Sequence, residues 1–247
     1  MQDKRIVVTG LGPLCPLAIG QKNFHEAQLA GKSGISKVTK FDASNFPTQI
    51  AGEVHMDMSQ YFDRKELRRI DPFIQLAVAA ADLALQDSGL DLDAIDRENV
   101  GVLIGSGIGG VKTWEDQSSM ALKTPWRISP FTITMLSNNI AATTVSMRYG
   151  FMGPSSTTAT ACTTGADAIA HAYRMMQFGD AEVMLVGGSE AAVTSFSMGG
   201  FSAMRALSKR NDEPEKASRP FSASRDGFVL SEGAAVLTLE TLEHAKA

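Results

Sequence analysis

The sequence predicts an α/β layered fold. Short β-prone runs alternate with helical segments from one end of the chain to the other. One long helix carries both a start and a stop signal. One junction passes from strand-like alternation to helical spacing within a few residues.

In chain order, Arg5–Thr9 (RIVVT) reads as the first strand and Gln21–Ala30 as the first helix. The helix Asp71–Ser88 is the best signalled. Asp71 is a side-chain cap, Pro72 suits the first helical position, and Gly89 suits the residue just past the end. Alanine and apolar residues occupy nearly every face, so this helix is expected to be buried on most sides. Val100–Gly105 is a strand, and Leu136–Tyr149 is a helix. Ser156–Ala161 alternates Ser, Thr and Ala as a strand would, and Thr164–Phe178 follows as a helix. Val183–Gly188 is a strand, Met198–Leu207 a helix, Lys209–Ser218 a charged loop, and Gly227–Leu230 and Ala234–Glu240 a last pair of strands. There is no internal repeat.

The 247 residues suffice for one large domain or two small ones. Composition is that of an ordinary globular protein, 44% hydrophobic and 20% charged. A net charge of −4 gives no global drive toward nucleic acid or anionic membrane. No stretch approaches the roughly 20 apolar residues of a membrane span. The opening MQDKRIVVTGLGPLCPLAIG has the basic start and apolar run of a signal peptide. Gly10, Gly12, Pro13 and Pro16 interrupt that run, and a first strand is the better reading. Two cysteines, Cys15 and Cys162, make neither a disulfide framework nor a metal motif, which fits a reducing cytoplasm and no bound metal.

Cys162 is the leading candidate for chemistry. It stands where the β-prone run SSTTATA meets the helix from Thr164. Free N–H groups and the macrodipole at a helix start favour an anion. An ordinary cysteine is only ~3% thiolate at neutral pH, and the thiolate is the nucleophile. Position alone leaves a buried core cysteine equally open. A cysteine hydrolase would need a histidine base. His171 shares the helix, but nine residues is about 13.5 Å of rise and roughly half a turn out of phase. Nothing ties His25, His55 or His244 to a motif. The run GSGIGG, Gly105–Gly110, fits GxGxxG. No acidic residue follows about 20 positions on, and no clean strand–helix–strand unit opens there, so a dinucleotide site is a weak reading.

The wording around Cys162, TATACTTGADAIAHAYRMMQFGDAEVMLVGGSEA, resembles the active-site segment of β-ketoacyl-[acyl-carrier-protein] synthases, the elongating condensing enzymes of fatty acid synthesis. The resemblance runs in order through VVTGLG, AGKSGI, FIQLAVAAADLALQDSGL, GVLIGSGIGG, ISPF, GGFSAMRALS and ASRPFSASRDGFVLSEGAAVLTLE, and is nearest to the bacterial type II form, synthase II. It implies a thiolase-like fold of stacked α-β-α-β-α layers, with residues 1–247 supplying the N-terminal ketosynthase domain: the first half and the start of the second. It implies that Cys162 takes up an acyl group as a thioester and that malonyl carrier protein loses carbon dioxide to attack it. The family's two histidines and lysine for that second step lie in its second half, so Cys162 alone carries over as catalytic. No metal, nucleotide or prosthetic group is implied, because phosphopantetheine arrives on the acyl carrier protein. A homodimer pairing near Ser129–Asn139 and the strand into Cys162 is implied as well.

By the same resemblance, Gly107 and Ile108 line the acyl pocket, with Ile108 at the end of the fatty chain, and Phe201 is a further wall residue. Arg64, Lys65, Arg68 and Arg69 fall on one face of a short helix, ordinarily just a solvated charged face. Carrier proteins are acidic, so Lys65, Arg68 and Arg69, with Arg127 and Arg205, become candidates for docking. Glu190 ends an apolar strand and reads as structural, since a buried carboxylate needs partners. Ser222 stands where the family has aspartate, in RPFSASRDG. A polyketide-type ketosynthase and a non-catalytic carrier-binding half are the alternatives. The retained cysteine favours an enzyme.

Overall fold

The computed structural model describes residues 4–247. Residues 1–3, the start of the stretch weighed above as a signal sequence and of the expected domain 1–247, lie outside the described residues. Six strands form one mixed sheet, ordered β2-β1-β8-β7-β5-β6. They are β1 (Ile6–Cys15), β2 (Ala18–Ile19), β5 (Val100–Gly105), β6 (Ser155–Ser156), β7 (Val183–Glu190) and β8 (Gly233–Thr241), while β3 (Ile35–Lys37) and β4 (Ile50–Gly52) make a separate antiparallel pair. β5 runs parallel to β6 and β7, and β8 runs antiparallel to β7 and β1.

Helices cover both faces, which gives three layers. Successive strand residues point to opposite faces. Val102, Ile104, Val183, Leu185 and Val236 therefore join one core, with α2 (Pro72–Ser88) and α5 (Ile140–Tyr149). Leu103, Met184, Val186 and Leu239 join the other, with Ala168, Ala172 and Met176 of α6 (Thr164–Phe178). A strand buried on both faces reads as a continuous apolar run, as VMLV does.

α2 is as its sequence signals promise. Asp71 Oδ1 accepts from Phe73 N at 3.2 Å, Pro72 takes the first turn, and Gly89 ends the helix at φ 68°. Ten of its residues are buried, alanines on several faces among them. The reason is its seat on β1. A Cβ on Gly12 would stand 1.9 Å from the Ala80 carbonyl oxygen, and one on Gly10 2.1 Å from that of Ala84. Glycine there lets helix backbone rest directly on strand backbone.

Four element expectations are corrected. The single helix Leu136–Tyr149 is two, α4 (Thr132–Leu136) and α5, because Ser137, Asn138 and Asn139 spend their side chains on other partners. Asn138 Nδ2 donates to the Ser106 carbonyl at 2.6 Å and Ser137 Oγ to Asn139 Oδ1 at 2.5 Å. The strand Ser156–Ala161 stops after Ser156, and its threonines make turn contacts instead. Gly227–Leu230 is no strand, and only Phe228 pairs, with Leu207. The helix expected over Met198–Leu207 is α7 (Ser195–Ala203). It begins where Thr194 Oγ1 accepts from Ser197 N, and Arg205 breaks away after it at φ 58°. Of two further helices, α1 (Gln21–Leu29) lies against β1 and β2 and α3 (Val111–Lys123) against α4, and α8 (Leu242–Lys246) follows β8. Among the described residues, no helix is long and apolar enough to cross a membrane.

Candidate active site

Cys162 sits in a single tight turn, Ala161–Thr163, that feeds directly into α6. Hydroxyls knot the turn. Thr160 N donates to Thr164 Oγ1 at 2.8 Å, Thr158 Oγ1 to the Thr164 carbonyl at 3.0 Å, and Thr157 Oγ1 to the Ile104 carbonyl at 2.9 Å. The knot holds Ala161 at φ 52°, a left-handed conformation that costs an alanine about 1–2 kcal/mol. The result presents Cys162 outward. Its side chain is exposed, which disposes of the buried-core reading. The Cys162 N–H finds no acceptor among the described residues, so it is available to an oxyanion formed beside the sulfur.

Cys162 opens onto a cleft of about 620 Å³. Its walls are mainly apolar: Leu14, Ile108, Phe201, Phe228 and Leu230, with backbone of Gly105–Gly107 and Gly188. Three of the expected residues, Gly107, Ile108 and Phe201, thus share one cavity with Cys162. Phe201 is half-buried and meets the Phe228 ring edge-on, centroids 5.3 Å apart. Phe228 and Leu230 were hidden in the sequence, because their run resembles a strand. Close packing of the glycine run also fixes the cleft. A Cβ on Gly105 would fall 2.1 Å from Thr164 Cγ2, so glycine lets β5 lie against the start of α6.

The GSGIGG loop leads into α3, but α4 and α5 follow before the next strand, β6, so it opens no simple strand–helix–strand unit. Its amides are also already taken. Glu190 Oε2 accepts from Gly107 N at 2.8 Å and Ile108 N at 3.1 Å, and Oε1 from Ser106 Oγ at 3.2 Å. Backbone N–H groups bonded to a protein carboxylate are not a pyrophosphate cradle. Burial pushes the Glu190 pKa above the usual carboxylate range; the three donors oppose that shift, and nearby Asp71 adds to it.

No histidine lines the cleft among the described residues. His171 is exposed on α6, His25 and His55 are exposed elsewhere, and His244 Nδ1 lies 2.5 Å from Glu240 Oε2. Ser222 bonds locally, its Oγ accepting from Ser224 N at 3.2 Å. Asp226 instead holds the chain, accepting from Ser208 Oγ and Lys209 N.

The basic cluster lies in turns rather than on a helix. Asp63 Oδ1 accepts from the N–H groups of Lys65 and Glu66 and winds the segment into turns. Lys65, Arg68, Arg69, Arg127 and Arg205 are all exposed, and none forms an ion pair among the described residues. Arg69 lies over the Phe131 ring, 4.7 Å from its centre. This joins the turn to the segment that follows Arg127; Arg205 stands apart, just beyond α7.

Cys162 thus stands at a helix start beside an apolar cleft, and comparison with known proteins fixes the family. Residues 3–245 match the family model "Beta-ketoacyl synthase, N-terminal domain". The chain belongs to the beta-ketoacyl synthase family, and its sheet with helices on both faces is the thiolase-like fold of that family. It is 50% identical to a 3-oxoacyl-[acyl-carrier-protein] synthase 2 of Coxiella burnetii and 47% identical to one of Vibrio harveyi. In each case the match covers all of this chain and 60% of the relative. A beta-ketoacyl synthase structure from Burkholderia phymatum superposes with TM-score 0.89 at 32% identity, over 98% of this chain and 60% of that one. A type II PKS ketosynthase, bound to the hexaketide and in complex with its acyl-carrier protein, superposes with TM-score 0.85 at 35% identity, over 99% of this chain and 60% of that one. The chain thus spans about three fifths of the length of the relatives it matches.

Proposed function

We propose that the protein carrying this chain is a 3-oxoacyl-[acyl-carrier-protein] synthase, which lengthens an acyl chain by decarboxylative Claisen condensation. The observation that carries the reading is Cys162, open to solvent at the head of α6 and at the mouth of an apolar cleft. The Cys162 thiolate attacks the carbonyl carbon of an acyl thioester. The carrier's pantetheine sulfur leaves and takes up a proton, and the acyl group stays on Sγ. Malonyl thioester then loses carbon dioxide, and the electron pair of the broken carbon–carbon bond becomes an enolate. Its carbon attacks the Cys162 thioester, and the sulfur leaves as thiolate. A 3-keto thioester two carbons longer results. Sulfur suits both steps, as a good nucleophile and a good leaving group. The cleft takes the acyl tail, with Ile108, Phe201 and Phe228 as its walls. No metal or resident cofactor is assigned a step.

Acyl carrier protein is the proposed partner, docking on Lys65, Arg68, Arg69 and Arg127 and on Arg205. Five exposed cations free of ion pairs among the described residues are suited to steering an acidic partner. A homodimer is proposed on the β6 side. β6 is an edge strand; Met147 of the helix packed on it and Met152 just before it are largely exposed, as is Ile133 of α4. A cytoplasmic setting suits the two unpaired thiols.

The test is acylation of the full-length protein with an acyl thioester, followed by mapping of the adduct by mass spectrometry. Acyl transfer to Cys162, abolished by Cys162→Ala, is the expected result. An adduct on Cys15 with Cys162 untouched overturns the assignment.

A further inference from the structure

The loop that carries Ile108 is anchored by one carboxylate. Glu190, at the last residue of β7, receives two consecutive loop amides, Gly107 N and Ile108 N, on the same oxygen and the Ser106 hydroxyl on the other. Ser106 Oγ in turn accepts from Gly109 N at 2.9 Å, and the Ser106 carbonyl accepts from Asn138. Gly107 N, Ile108 N and Gly109 N thus all tie to Glu190, directly or through Ser106 Oγ, while Ser106 N donates to the Thr158 carbonyl at 3.3 Å. No cation pairs with this carboxylate among the described residues. A half-desolvated carboxylate with amide and hydroxyl partners alone is an uneconomical core filler. It is a strong anchor for a glycine-rich segment, since bonds from N–H to a carboxylate are about twice as strong as neutral ones. What it anchors is the Ile108 side chain, 44% exposed and facing the cleft that holds Cys162.

We propose that Glu190 is a specificity-determining positioning residue: by fixing the 106–109 loop it sets where Ile108 stops the tail of whatever is attached to Cys162. The inference rests on the condensing-enzyme reading for the nature of that tail, but the geometry it invokes is independent of the chemistry. Loss of the tether lets the loop yield to longer tails. Glutamine at 190 can keep both amide bonds with its one carbonyl oxygen and turn its NH₂ toward Ser106, so the anchor survives loss of the charge.

The full-length protein is treated with a graded series of N-alkyl iodoacetamides, from methyl to dodecyl, and the alkylation rate of Cys162 is read by intact mass. The wild type is expected to slow as the tail lengthens. Glu190→Ala should raise the ratio of long-tail to short-tail rates about tenfold, the scale on which apolar pockets discriminate one or two methylenes. Glu190→Gln should keep the wild-type profile. A Glu190→Ala ratio equal to wild type overturns the proposal, as does an equal loss at every length in both variants. If Glu190→Ala does not fold, Glu190→Asp serves, because a side chain one methylene shorter cannot keep Gly107 N, Ile108 N and Ser106 Oγ together, and the ratio should rise in the same direction. The same samples are offered acyl thioesters. A wild type that follows the alkylation profile yet accepts no acyl group overturns the condensing reading and leaves the role of Glu190 standing.

Discussion

Asp71 does two jobs with two oxygens. Oδ1 caps α2 through Phe73 N, and Oδ2 accepts from Thr113 N at 2.8 Å and Thr113 Oγ1 at 2.7 Å, tying α3 to the cap. The residue is fully buried, and desolvation outweighs these bonds enough to push its pKa upward. Asparagine would keep one set of bonds and aim an NH₂ at the donors of the other. Asp71→Asn should therefore destabilise the fold by about 1–3 kcal/mol, the penalty for an unsatisfied buried donor, and urea unfolding midpoints will show it. From the sequence, Asp71 was legible as a cap because its signal is local. Its second partner lies 42 residues away, and nothing local announces Thr113. The same division holds at the site. Cys162, Ile108 and Phe201 stand in motifs, whereas Phe228 and Leu230 reach the cleft just past Gly227, whose positive φ of 147° a β-prone run disguises.

At the scale of elements, what was readable followed from how self-contained each signal is. α2 carries its cap, its proline and its terminal glycine within its own stretch. α3 starts at Gly110 without a side-chain cap and escaped notice. The segment before Cys162 has strand composition, but its hydroxyls bind backbone across the turn and close off the ladder after two residues. The contact between α2 and β1 tests the packing argument. Gly12→Ala would drive a methyl into the Ala80 carbonyl, with no side-chain end to move aside. Overpacking of this kind costs about 1–3 kcal/mol, and a lowered thermal midpoint with unchanged secondary structure by circular dichroism is the expected outcome.

For the whole molecule, the fold class was evident from alternation alone, while the order of strands in the sheet was not. β8 inserts between β1 and β7, so residues from both ends of the chain are hydrogen-bonded neighbours. The cleft contains a cysteine and apolar walls but no histidine among the described residues. Residues 1–247 on their own should consequently fail to condense acyl and malonyl groups. Each missing donor to a developing oxyanion typically costs ~10²–10³ in rate. Product formation from acyl and malonyl carrier proteins, followed by mass spectrometry, checks this. Turnover matching a full-length relative would mean that a group in this chain supplies the missing donors.

The seating of α2 also has a consequence in time. Its amides lie in a helix buried on nearly every face and pressed backbone to backbone onto a strand that itself joins both ends of the chain. No small excursion can wet them. In deuterated buffer, the middle of α2 should keep its protons until the entire domain opens, while the knotted turn beneath Cys162, exposed and held by hydroxyls, exchanges through local breathing. The turn that carries Cys162 is then free to flex at low cost, because the part that resists unfolding is a different helix.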